Sequence, residues 1–115
     1  MQIKEDEKWQ KTLLFFKNNF DADETVELDV ILFLIGVQEL GKISKKFKKD
    51  EKMNLIHVAV CTLLEPYGFY TFDYYDNEGW PHFKLNEDLP HLKANEQQIL
   101  IKKAIIEYLE KDNLI

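Results

Sequence analysis

The sequence predicts a mainly helical α+β fold, in the order α-α-α-β-β-α, in which four helices pack with one antiparallel aromatic β-hairpin. Three observations carry this. Apolar residues recur at three- and four-residue steps near both ends of the chain, the period of an amphipathic helix. Eight of the fifteen aromatic residues crowd into residues 67–83: Tyr67, Phe69, Tyr70, Phe72, Tyr74, Tyr75, Trp80 and Phe83. Within that stretch Asp76-Asn77-Glu78-Gly79 suits a type I turn with Gly79 left-handed, the loop of a bulged hairpin.

The first helix is expected from about Glu5 to Asn19, on the stripe Trp9, Leu13, Phe16 and Phe20, with Leu14 and Phe15 off it. Asp21 and Glu24 have the spacing of a capping box, so a second helix is expected to start near Ala22 or Asp23. Val30 to Ile35 is apolar on every side, which assigns this helix to the centre of the core. Gly41 is its stop. Asp50 is the expected cap of a third helix from Glu51 to about Leu64, closed by Pro66 and Gly68. On a helical wheel Met53, Ile56, His57, Val60, Cys61, Leu63 and Leu64 fall within an arc of about 160° and form its expected core face. Asn54, Val58, Thr62 and Glu65 are its expected exposed side.

Counting outward from the turn pairs Asp76 with Trp80, Tyr75 with Pro81, Tyr74 with His82 and Phe72 with Lys84. Pro81 has no N–H to offer a third strand, so its strand is an expected edge. This register gathers Tyr70, Phe72, Tyr74, Trp80 and His82 on one face, and Phe69, Tyr75, Pro81, Phe83 and Leu85 on the other. Helices can cover one of these apolar faces, and the other needs a further element or a second molecule. Asn95 and Gln98 repeat the capping-box spacing before a fourth helix, about Glu96 to Lys111, with the stripe Ile101, Ala104, Ile105, Tyr108 and Leu109. Ile99 and Ile106 fall outside that stripe.

Composition narrows the classes of function. At 115 residues, 45% apolar and 31% charged, the chain reads as a single domain, residues 1–115, of ordinary soluble usage. Met1 to Glu7 has no apolar core of a signal peptide. The run Val30 to Ile35 is far short of the roughly 20 apolar residues of a membrane span. Cys61, the one cysteine, has no internal disulfide partner and suits a reducing cytoplasm. All fifteen basic residues are lysine, and the net charge is −6. Bidentate guanidinium recognition of guanine, phosphate or carboxylate is therefore excluded. Residues 42–52 hold six lysines against Asp50 and Glu51 and carry +4, while the rest of the chain carries −10.

No catalytic or cofactor motif stands out, and no cofactor is expected. His57 and Cys61, four residues apart, have the helical spacing of a metal-ligand or nucleophile–base pair. They are the weak metal candidates, with His82, His91, Asp73 and Glu39 as the further ligands zinc would need. A hydrogen-bonded core histidine beside an inert thiol is the plainer reading. Trp80 and His82 beside the tight turn form a possible ligand-facing patch. The order helix, basic turn, helix, hairpin matches that of a winged helix-turn-helix, with Lys45, Lys46, Lys48 and Lys49 as possible phosphate contacts in the Lys42 to Lys52 loop. The acidic turn and the negative net charge weigh against nucleic acid. The strings Gly36-Val37-Gln38-Glu39-Leu40-Gly41, His57-Val58-Ala59-Val60-Cys61 and Gly79-Trp80-Pro81-His82 resemble a group of small uncharacterised bacterial proteins over residues 30–85. The resemblance implies a bacterial cytoplasmic origin and brings no activity with it. The leading expectation is a non-catalytic protein-interaction module, a homodimer contacting itself through Tyr70, Phe72, Tyr74, Trp80 and His82 of the hairpin and through the C-terminal helix. A nucleic-acid-binding regulator and a metal- or thiol-dependent enzyme are the alternatives.

Overall fold

A computed structural model describes residues 2–19, 28–41, 47–89, 92–112 and 114. It contains α1 (Gln2–Asn19), α2 (Leu28–Leu40), α3 (Lys49–Leu64), a 3-10 turn (Glu65–Tyr67), β1 (Tyr70–Tyr75), β2 (Pro81–Leu85) and α4 (Ala94–Lys111). This is the predicted α-α-α-β-β-α order with a single two-stranded antiparallel sheet. The chain divides into two compact units, residues 1–27 with 92–115, and residues 28–91. The Asp21–Glu24 capping box and Phe20 lie outside the described residues.

In the first unit, α1 buries Phe16 and Thr12 and half-buries Trp9 and Leu13. The Thr12 hydroxyl satisfies itself within the helix, donating to the Lys8 carbonyl at 2.9 Å, so a buried polar group carries no unpaired cost. On α4, Ile101, Ala104, Ile105, Ile106 and Leu109 are buried. Ile106, read as off the stripe, belongs to the buried face, so the apolar arc of this helix is wider than the stripe implied. Lys8 pairs with Glu110 at 3.0 Å, and the Lys102 ammonium lies 5.3 Å from the Trp9 ring centre.

In the second unit α2 lies on α3 at close range. A Cβ at Gly36 would overlap the Leu55 carbonyl group, so only glycine allows the two backbones to approach this far. Gly41, at φ 72°, donates its N–H to the Val37 carbonyl at 3.1 Å and ends α2 as predicted. The core of this unit holds Ile31, Leu32, Ile35, Leu55, Val58, Ala59, Cys61, Leu63 and Leu64. Two expectations need correction. Val30 is 44% exposed and Phe33 and Leu34 only half-buried, so α2 is not enclosed on all sides. On α3 the buried face centres on Leu55, Val58 and Ala59, while Met53 (64% exposed) and His57 face solvent. Apolar residues surround α3, so the wheel admits more than one core face. The short Ala59 and the contact at Leu55 suit the side that meets α2.

Both helix starts are also shifted. The Lys48 N–H donates to Glu51 Oε1 at 2.9 Å and the Lys93 N–H to Glu96 Oε1 at 3.0 Å. Glutamates three residues in thus satisfy the first backbone donors, in place of the caps expected at Asp50 and Asn95. Helix α3 ends at Leu64, with Gly68 at φ 86° donating its N–H to the Glu65 carbonyl at 2.9 Å.

The hairpin turn follows the reading near its tip. Gly79 is at φ 86°, its N–H donates to the Asp76 carbonyl at 3.0 Å, and the Asp76 N–H donates to the Trp80 carbonyl at 2.9 Å. Tyr75 faces Pro81 and Tyr74 faces His82, but the register then shifts between Phe72 and Tyr74. Phe72 therefore faces Phe83, not Lys84, with Thr71 on Lys84 and Tyr70 on Leu85. An extra residue in one strand reverses the facing of every side chain beyond it. Tyr70 and Phe72 consequently join Tyr75, Pro81, Phe83 and Leu85, while Tyr74 and His82 share the opposite face with Thr71 and Lys84. The predicted grouping of Tyr70, Phe72, Tyr74 and His82 does not hold, and the second face is mixed, not apolar.

Candidate functional site

A cleft of about 320 Å³ opens between α3 and the hairpin turn, lined by Asn54, His57 and Val58 on one side and by Asp76, Glu78, Trp80, Pro81, His82 and Phe83 on the other. Its fixed element is the Asp76 carboxylate. Oδ1 accepts the N–H groups of Glu78 at 2.9 Å and Trp80 at 3.0 Å, the chemistry by which an aspartate stabilises a tight turn. Oδ2 lies 2.8 Å from His82 Nε2. The hydrogen bond to His82, then that from the Trp80 backbone, hold the Asp76 carboxyl below its ordinary value. An ionised carboxylate only accepts, so Nε2 of His82 carries the proton. The imidazole is further oriented by Tyr74, whose ring stacks on it at 4.6 Å and 2°.

Across the cleft, His57 Nε2 lies 3.5 Å from the Cys61 sulfur, as the four-residue spacing anticipated. Desolvation pushes the buried Cys61 thiol up to about 12, so the sulfur holds its proton at neutral pH and is a poor nucleophile. The His57 ring also meets Tyr70 edge-on at 6.3 Å. Burial, and then the neighbouring Cys61, raise the Tyr70 hydroxyl above its ordinary value.

The other named residues disperse. Trp80 and His82 line the cleft, whereas Tyr70 is half-buried and Phe72 and Tyr74 are exposed on opposite faces. Asp73 sits at the bulge, 3.9 Å from the Lys84 ammonium. Glu39 is exposed on α2, and His91 lies outside the described residues. Among the described residues no three His, Cys, Asp or Glu side chains converge to hold a metal ion. Lys48 and Lys49 are exposed at the start of α3, and Lys45 and Lys46 lie outside the described residues. No helix among the described residues is long and apolar enough to cross a membrane. The sequence marks Asp76 as a turn residue and Trp80 with His82 as a possible ligand-facing patch beside the turn, without linking Asp76 to His82. Their pairing was within reach, because a closing Asp76–Trp80 pair makes His82 the diagonal neighbour of Asp76.

Comparison of the chain with known protein families, with curated proteins and with solved structures finds no match.

Proposed function

We propose that the protein is a non-catalytic interaction module that forms a homodimer through the exposed aromatic residues of its hairpin. One observation carries this reading: Phe72, Tyr75 and Leu85, all on the face gathered by the Asp73 bulge, are 39%, 65% and 51% exposed, and Tyr74 on the reverse is 51% exposed. Large aromatic area left in water favours a contact that removes it. The strand edges do not compete for this role. The Phe72 N–H is taken by Glu65 Oε2 at 3.0 Å, and Pro81 has no N–H, so neither edge offers a complete ladder to a third strand. Side-chain packing is then the mode of contact, with Phe72, Tyr75 and Leu85 as anchors. On α4, Ile99 is exposed and Ile106 buried, which confines any helical contribution to the start of that helix.

Light scattering on the eluting peak of a sizing column, at several protein concentrations, tests the proposal. A dimer persisting to low micromolar concentration, and reduced to monomer by Phe72→Ser with Tyr75→Ser in a protein that keeps its circular dichroism, is the expected result. A wild-type monomer at every concentration refutes it.

A further inference from the structure

We propose that the Glu65 side chain is an inhibitory contact on the outer edge of β1, and that β1 of a second copy of this chain pairs with that edge once the contact is removed. β2 holds one edge of β1, and among the described residues no third strand covers the other. An uncovered edge presents backbone groups to any further strand. At Phe72 that group is already taken, because its N–H donates to Glu65 Oε2 at 3.0 Å. The acceptor is a side chain seven residues back in the sequence and outside the sheet. It occupies the place that a neighbouring strand's carbonyl takes in a ladder.

Local structure fixes Glu65 in this position. It opens the 3-10 turn between α3 and β1, directly after the buried Leu64. The Gly68 N–H closes the turn on the Glu65 carbonyl at 2.9 Å, and the Phe69 N–H donates to the Leu64 carbonyl at 3.3 Å. Asn86, just past β2, ties the same turn to the sheet: its backbone N–H donates to the Phe69 carbonyl at 2.9 Å and its side-chain amide to the Gly68 carbonyl at 3.0 Å. A carboxylate is a stronger acceptor than a peptide carbonyl, so the internal bond outcompetes a strand from another molecule.

The strand behind the contact is suited to pairing. Tyr70-Thr71-Phe72-Asp73-Tyr74-Tyr75 is aromatic or β-branched at every position but Asp73, the composition that sheets favour. β2 is protected differently, by Pro81, which has no N–H, and by the exposed Lys84. A second copy is the occupant because every copy carries the same strand, and antiparallel pairing of β1 with β1 about a two-fold axis lets each edge meet the groups it presents. Packing of the aromatic side chains leaves the Phe72 N–H on Glu65, so the two modes of contact are separable.

Light scattering and amide hydrogen exchange on the full chain test the proposal, with wild type compared to Glu65→Ala, Glu65→Ser and Glu65→Gln. Glu65 is exposed, so the variants are expected to keep the wild-type circular dichroism. Glu65→Ala is expected to associate about tenfold more tightly than wild type, since each meeting edge loses one competing hydrogen bond. Its Phe72 amide is expected to exchange fast in dilute protein and more slowly as concentration rises. Glu65→Ser, whose side chain is too short to reach Phe72, is expected to match Glu65→Ala. Glu65→Gln, which keeps an acceptor oxygen at the same reach, is expected to stay at the wild-type mass. Wild-type mass at every concentration in both Glu65→Ala and Glu65→Ser overturns the proposal. So does association that leaves Phe72 exchange unchanged, or a Glu65→Gln protein that associates as tightly as Glu65→Ala. Each comparison is with wild type at the same concentration, whether monomer or dimer, so the outcome is independent of the homodimer.

Discussion

Cys61 and Asp76 depart from their ordinary ionisation in opposite directions, for opposite reasons. Burial alone raises the Cys61 thiol from 9.0 to about 12, which lowers its thiolate fraction at neutral pH roughly a thousandfold. A disulfide reagent is expected to modify Cys61 that much more slowly in the native protein than in denaturant. His57→Ala should not restore the rate, because desolvation and not the imidazole sets the shift; a fast native reaction would contradict this. Asp76 is held below its ordinary value of 3.8, first by His82 and then by the turn N–H groups. A depressed folded value means that the unfolded chain binds the proton more readily, so the carboxylate's contribution is present above about pH 4 and lost as pH falls below it. The stability difference between wild type and Asp76→Asn is therefore expected to be largest near neutral pH and to shrink on acidification, measured by urea unfolding at several pH values. The His57–Cys61 spacing was legible in the sequence, but not that the pair straddles a surface, the sulfur buried and the imidazole in water. A four-residue repeat gives proximity along a helix and says nothing of which side the neighbours cover.

At the scale of elements, the α2–α3 contact rests on Gly36. Gly36→Ala places a methyl group on the Leu55 carbonyl and is expected to cost about 1–3 kcal/mol, the usual range of overpacking, read as a lower urea midpoint. Gly41→Ala, where nothing lies within 4 Å of the added Cβ but φ is 72°, is expected to cost only the left-handed penalty, roughly 1–2 kcal/mol. A Gly36→Ala protein with the wild-type urea midpoint would mean that close approach is not what Gly36 provides. Sequence periodicity found four helices and a hairpin, each helix boundary within a few residues for α1, α3 and α4. The turn was legible because Asp76 and Gly79 have local reasons to occupy it. The Asp73 bulge was not, since it answers to how Phe72 meets Phe83 and Tyr75, at ring separations of 5.8 Å and 4.9 Å. That one residue decides which aromatics share a face.

For the whole molecule, the proposed dimerisation through the hairpin would make thermal stability depend on concentration, because only the folded chain presents the assembled aromatic face. The Tm of the wild type is expected to rise with protein concentration and that of the Phe72→Ser, Tyr75→Ser protein to stay constant; a constant wild-type Tm would remove the homodimer. Each compact unit, residues 28–91 and the paired terminal segments, has its own buried apolar set, one around Leu55 and one around Ile105. Local chemistry in the chain determined the element order, the hairpin turn, the helix stops at Gly41 and Gly68, and the crowding of aromatics on one β-ribbon, because these follow from φ preferences and periodicity within a few residues. Packing between distant segments decided the core face of α3, the register beyond Asp73 and the cleft that the Asp76–His82 pair shares with His57. Those features depend on which surfaces meet, and an α3 that is apolar nearly all round accepts more than one answer until α2 and the hairpin take their sides.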